Sequence, residues 1–312
     1  SLKGRPSLKM ELTSVSQLVD RYDAFLLDQF GVLHDGTNAI PGAVDCFAQL
    51  VAKNKKCVIL SNTSRRGGAG AVKLKKMGFA ADALSGFVAS GELAYQFMAS
   101  ELRGKKALWF GWVGGDHASY VDGLDLTFAP AETADFVLCQ GTQSLDDGSG
   151  TPLRVNLHES GVLDDAVGAV LDACVARGLK MVCCNPDYIA LVSFGTGHMP
   201  GALARAYEER GGTVISFGKP STAAFEAGLA LLGGGIPKER VCHVGDSLHH
   251  DIAGANASGV DCLWVAATGI HADELGLASD ATALPSDAYH RVVGAWGGKP
   301  PTHVTMRFRW EG

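Results

Sequence analysis

The sequence has no apolar stretch long enough to span a bilayer, which excludes a protein built on membrane-crossing helices. Its first six residues, Ser1-Leu2-Lys3-Gly4-Arg5-Pro6, contain no apolar signal-peptide core, and the chain begins without Met, so a vector-derived remnant is expected there and cytoplasm is the expected location. There is no basic tract. Arg65-Arg66 and Lys105-Lys106 are isolated pairs in a chain of net charge −6, which leaves nucleic-acid binding without electrostatic support. No C-x-x-C pair occurs among the eight cysteines, Cys46, Cys57, Cys139, Cys174, Cys183, Cys184, Cys242 and Cys262. Most stand beside Val, Leu or Ala, so buried, reduced thiols acting as small apolar side chains are expected rather than a zinc site or disulfide framework. Internal repeats are absent, which removes solenoid architectures.

What is present is a 312-residue chain, 46% hydrophobic, long enough for one large core plus a smaller inserted domain. An apolar strand, Ala24 to Asp28, is followed by a helix starting at Pro41, in which Ala43, Val44, Phe47, Leu50 and Val51 recur at helical spacing. Strand Cys57-Val58-Ile59-Leu60 runs into Ser61-Asn62, and a helix from Ala69 to Met77 stops at Gly78. This strand–helix alternation predicts a doubly wound parallel sheet. Past a helix over 91–102, strands near 108–115 and 136–140 precede a polar, turn-rich excursion over 144–160. A helix over 163–177 and strand Met181 to Cys184 reach Asn185-Pro186-Asp187, where Asn-Pro ends the strand. A helix over 201–210, a short strand over 213–217 and Gly218-Lys219-Pro220-Ser221 follow. Strand Arg240 to Val244 then leads into Gly245-Asp246-Ser247-Leu248-His249-His250-Asp251, and strands at 262–266 and 304–308 complete the reading.

In open parallel sheets ligands sit beyond the carboxyl ends of the strands, where residues distant in sequence can meet. Four predicted strand ends carry polar sets: Asp28; Ser61 with Asn62; Lys219; and Asp246 with Asp251. Three carboxylates near one another need a cation among them. An oxygen-only set suits Mg²⁺, which keeps waters or substrate phosphate in its remaining positions, and the whole set points to phosphoryl transfer. Taken singly, the acids also read as helix N-terminal charges, Ser61 and Asn62 as helix caps and Lys219 as a loop cation. His249-His250 reads as a polar helix start, Arg65-Arg66 as a solvated face, and Trp109, Trp112 and Tyr188 as core or as the wall of a ligand cleft.

The four motifs, in this order from about Asp23 to Ala266, resemble those of the haloacid dehalogenase (HAD) superfamily. The insert closing on Asn185-Pro186-Asp187 resembles its C2-capped, NagD-like (class IIA) branch. The resemblance implies an α/β fold with a Rossmann-like core over residues 1–86 and 188–312 and an inserted α/β C2-type cap over 87–187. It implies that Asp28 attacks phosphorus to form an aspartyl-phosphate, that Ser61 and Asn62 hold phosphoryl oxygens, and that Lys219 neutralises the developing charge. Mg²⁺ would be held by Asp28, the backbone carbonyl of Phe30 and Asp246, with Asp251 in support, while Asn185 and Asp187 face substrate from the cap. The partner implied is a small phosphorylated molecule, sugar- or nucleotide-phosphate-like, and a homodimer is expected of this branch.

One position departs from the family pattern. Phosphatases of this kind carry a second Asp two residues after the nucleophile, where this chain has Phe30. That acid protonates the leaving oxygen and then activates water, help worth roughly a hundred- to ten-thousandfold. Three outcomes are open: hydrolysis of good leaving groups or with His34, Asp35 or Asp187 substituting; phosphonate-type P–C cleavage; or a degenerate member that binds a phospho-ligand without turnover.

Overall fold

The computed structural model describes residues 11–114, 119–192 and 195–311; the N-terminal six-residue reading lies outside them. Along the chain the strands are β1 (Ala24–Leu27), β2 (Lys56–Ser61), β3 (Gly86–Ala89), β4 (Lys106–Gly111), β5 (Thr127–Phe128), β6 (Phe136–Cys139), β7 (Ser144–Asp146), β8 (Leu153–Arg154), β9 (Lys180–Cys183), β10 (Ile189–Val192), β11 (Gly195–His198), β12 (Thr213–Ser216), β13 (Val241–Gly245), β14 (Asp261–Val265) and β15 (His303–Thr305). They fall into two compact units, residues 1–57 with 233–312, and residues 58–232. The expected α/β class holds in both. All eight cysteines are free and buried, as their apolar neighbours predict.

In the first unit β15, β14, β13 and β1 lie side by side in that order, all parallel. Ala24, Phe25, Leu26 and Leu27 are each fully buried, without the in–out alternation of a half-exposed sheet, which is the pattern of a parallel strand covered on both faces. The helix Ala43–Ala52 packs Ala43, Cys46, Phe47 and Leu50 inward. It begins after Gly42, whose φ of 88° only glycine adopts cheaply, so Pro41 stands just ahead of the helix rather than in its first turn. Register fixes what comes next. Leu27 pairs with Val244, and the Asp28 N–H donates to the Val244 carbonyl at 2.9 Å, so Asp28 and Asp246 leave adjacent parallel strands at the same end. The tail holds a helix that its sequence did not announce, Ser286–Trp296, before β15 closes the sheet edge.

The second unit contains the parallel pair β2–β3 and a seven-stranded sheet ordered β12-β9-β6-β4-β7-β8, with β5 beside β4. The period of two along its central strands sorts side chains to opposite faces. Leu108, Phe110, Val137, Cys139, Met181 and Cys183 join Leu171, Leu203 and Tyr207 from the helices Asp165–Ala176 and Pro200–Glu209. Their neighbours Ala107, Trp109, Phe136, Leu138, Val182 and Cys184 join Ala94 and Met98 of the helix Ser90–Glu101. The segment over 144–160 holds the antiparallel pair β7–β8, joined through bends, and a short helix, Leu157–Ser160.

The second sheet does not end at Asp187: β12 pairs in parallel with β9, Thr213 opposite Lys180 through Ser216 opposite Cys183. After Asp187 the chain makes the β10–β11 hairpin and the helix Pro200–Glu209, which buries Leu203, Ala204 and Tyr207 on the sheet before β12 joins it. Phe110, fully buried in this core, tests the packing: Phe110→Ala is expected to cost about 3–5 kcal/mol, read as a lower urea midpoint of unfolding.

Candidate active site

In the first unit Asp28, Asp246 and Asp251 are 7%, 8% and 1% exposed, and each offers a carboxylate oxygen within 4.8 Å of the others. So close a set of buried like charges needs donors or a cation to offset it, and its all-oxygen donors fit a hard divalent ion such as Mg²⁺. The backbone is shaped to allow it. Gly31 has φ +72°, and a Cβ there would lie 2.3 Å from Asp246 Oδ2; one on Gly269 would lie 2.5 Å from Asp246 Cβ. Asp246 is clamped from three sides: its N–H donates to Asp251 Oδ2 (3.2 Å), its carbonyl accepts from Trp264 Nε1 (2.7 Å), and its Oδ2 accepts from the Ile270 N–H (2.8 Å). Asp251 Oδ2 also accepts from the Ser247 N–H at 3.0 Å, and Oδ1 lies 2.7 Å from His243 Nε2.

Phe30 is half-buried, its ring edge-on to His34 with centroids 4.7 Å apart. Gly36, at φ +100°, is where a Cβ would come within 2.9 Å of the Phe30 ring. The aromatic ring therefore fills the turn that follows the strand. His34 is 1% exposed and its Nδ1 accepts from the Gly36 N–H at 3.1 Å, which places the ring proton on Nε2 in the neutral form. Asp35 accepts from the Thr37 and Asn38 N–H groups at 2.8 and 2.7 Å. The Asn38 hydrogen bond, aided by that of Thr37, holds its carboxyl below the usual range, so Asp35 is an ionised turn-former rather than a proton donor at neutral pH.

In the second unit Ser61, Asn62, Asn185 and Lys219 are buried, Lys219 only 2% exposed. Asn62 is the hub of this group. Its Nδ2 donates to Asp187 Oδ1 (2.8 Å) and to the Lys219 carbonyl (2.9 Å), and its Oδ1 accepts from the Lys219 N–H (2.8 Å). Both amide hydrogens are thus committed within the protein, and the side chain braces Lys219 and Asp187 while the backbone N–H of Asn62 takes no part in these bonds. Asn185 Oδ1 in turn accepts from the Asp187 N–H at 2.9 Å. Gly218, φ +110°, makes the approach possible, since a Cβ there would lie 2.3 Å from Asn62 Oδ1.

The remaining candidates separate. Arg66 donates to Glu92 (3.1 Å) and covers the Tyr95 ring at 3.5 Å, a fixed surface pair. Trp109 is core, 4.9 Å from Phe128, whereas Trp112 donates to Ser64 Oγ at 3.0 Å and meets His158 edge-on. Tyr188 is 45% exposed. His250 lies 3.1 Å from Ser247 Oγ, at the polar helix start expected of it. Sequence reasoning missed His243 and Gly218; the signal for the first was a histidine amid Val241, Cys242 and Val244 in an otherwise apolar strand.

Two family models match the chain: the haloacid dehalogenase-like hydrolase over residues 25–126, and a HAD-hydrolase-like family over 216–289. A 4-nitrophenylphosphatase of Schizosaccharomyces pombe is 26% identical over 302 residues, covering 86% of this chain and 91% of that protein. Among solved structures, a haloacid dehalogenase-like hydrolase of Brucella suis superposes with TM-score 0.74 at 24% identity, covering 94% of this chain and 98% of the other. A glycerol phosphate phosphatase of Mycobacterium tuberculosis, solved with magnesium, gives TM-score 0.60 at 22% identity over 93% of this chain and 77% of the other.

Gly31→Ala puts a methyl group where the Asp246 carboxylate stands. It is expected to weaken Mg²⁺ binding at least about tenfold by calorimetry while far-UV circular dichroism stays native, since only the cluster loses its shape.

Proposed function

The chain belongs to the haloacid dehalogenase superfamily of hydrolases, with the C2-capped, NagD-like architecture, and from that premise we propose that it is a Mg²⁺-dependent phosphatase of a small organic phosphate, sugar- or nucleotide-phosphate-like, acting through an aspartyl-phosphate. The observation that carries the reading is the buried Asp28–Asp246–Asp251 cluster at the ends of parallel strands. The S. pombe relative, named for hydrolysis of an aryl phosphate, supports the substrate class.

In this reading an oxygen of Asp28 attacks phosphorus in line, the P–O bond to the leaving group breaks, and water later cleaves the acyl phosphate to regenerate the carboxylate. Ser61, Asn62 through its backbone N–H, and the Lys219 ammonium receive the phosphoryl oxygens, with Lys219 supplying a preorganised positive charge. Asn62 sets the Lys219 backbone and Asp187. Asp28, Asp246, the Phe30 carbonyl and Asp251 would hold the ion, which would supply charge neutralisation. Asn185 and Asp187, which follow β9, belong to the cap side of this assignment. A homodimer and a cytoplasmic location remain part of the same proposal; no helix among the described residues is long and apolar enough to cross a membrane.

Phe30 sharpens the substrate class. Its ring packs on His34 and beside Gly36, so no carboxyl group stands two residues after the nucleophile, and the favoured substrates are those whose leaving group departs without a strong proton donor.

A panel of aryl and alkyl phosphomonoesters assayed with Mg²⁺ and with EDTA tests the proposal. Metal-dependent release is expected to be greatest for aryl esters and to vanish in Asp28→Asn; release equal to that control with every ester overturns the phosphatase reading. Phe30→Asp is expected to raise turnover of alkyl esters by about a hundredfold, seen as a flatter dependence of kcat on leaving-group pKa.

A further inference from the structure

We propose that His243 is a positioning residue for the metal site, acting through Asp251; this rests on the Mg²⁺ reading above. His243 lies on β13 between β1 and β14, with Leu26 and Cys262 as its Cα partners, and is fully buried. Packing alone favours an apolar side chain at such a place, as at Val241 and Val244 on the same strand. A buried imidazole costs free energy unless its nitrogens find partners.

The partner is specific. His243 Nε2 and Asp251 Oδ1 are 2.7 Å apart, with side chains 0% and 2% exposed. An ionised carboxylate only accepts, so Nε2 donates. Asp251 Oδ2 meanwhile receives the N–H groups of Asp246 and Ser247. Gly245 clears the way, because a Cβ there would lie 2.2 Å from Asp251 Cγ. Asp251 is thereby braced at both oxygens: from the sheet by His243 and from the loop by the backbone that carries Asp246. The brace holds Asp251 within the carboxylate cluster and fixes the peptide from which Asp246 extends. Without the His243 donor, Asp251 gains rotational freedom and the Asp246 turn loses its anchor, so metal affinity falls. Partners of metal ligands that act in this way typically change affinity or activity 10- to 100-fold.

Three substitutions separate this role from packing. The amide nitrogen of His243→Gln reaches the place of Nε2, that of His243→Asn stops short, and His243→Leu removes the donor altogether. Mg²⁺ is titrated calorimetrically into metal-free full-length protein without substrate, with thermal unfolding in EDTA recorded for each variant. The expected result is His243→Gln within about threefold of wild type, and His243→Asn and His243→Leu weaker by about 10- to 100-fold. If His243→Leu fails to fold, the Gln–Asn comparison carries the test alone. Equal affinity in all folded variants, or a loss in His243→Gln as large as in His243→Asn, overturns the role of His243 and leaves the metal reading intact. Absence of Mg²⁺ binding by the wild type overturns the metal reading, and this role with it.

Discussion

Mutual repulsion among three buried carboxylates is the constraint on which the first unit depends. Asp28, Asp246 and Asp251 present oxygens within 4.8 Å of one another while almost fully removed from water. Such a cluster persists only if the backbone forces it together and donors or a cation offset the charge. The forcing element is the parallel register of β1 and β13, which sets Asp28 beside the end of the strand leading to Asp246. The space is made by Gly31, Gly245 and Gly269, each lacking the Cβ that would strike Asp246 or Asp251. The donors are the N–H groups of Asp246, Ser247 and Ile270, with the His243 imidazole behind them.

The second unit solves the opposite problem, that of a buried cation. Lys219 is 2% exposed, and its backbone is fixed on both sides of the residue by a single amide: Asn62 accepts its N–H and donates to its carbonyl. The same amide reaches Asp187, tying the end of the Asn-Pro-Asp segment to the strand end at Ser61. A side chain that makes three internal hydrogen bonds is a strut. In the proposed reaction it holds the lysine where charge is needed, since preorganised charge needs no reorganisation when the substrate reacts.

Phe30 shows how a family site can change its chemistry at one position and keep its frame. The backbone at residue 30 still follows the nucleophile's strand, while the side chain turns to His34 and the bare face of Gly36 and becomes packing. The carbonyl available to a metal is independent of the side chain, whereas proton transfer is not. In the proposed reaction the replacement bears on leaving-group chemistry rather than on the cluster.

Much of this was legible in the chain itself. Apolar runs ending in Asp, Ser-Asn, Gly-Lys and Gly-Asp specify strands that each carry polar groups past their ends, because hydrophobic burial and turn chemistry are local and act within a few residues. The sequence by itself determined the strands, the carboxylates, the lysine, the absence of an acid at residue 30 and the burial of the cysteines. Tertiary structure decided partnership. Thr213-Val214-Ile215-Ser216 is a strand in any sheet, and only pairing with β9 places it beside Lys180–Cys183. The Asn62 side chain reads equally as a phosphate donor until its two N–H groups are seen committed to Asp187 and Lys219, 125 and 157 residues away. His243 reads as an anomaly in an apolar strand until Asp251 folds back to meet it. Strand propensity is set by each residue and its neighbours, but which acceptor a donor finds is set by the register of distant segments.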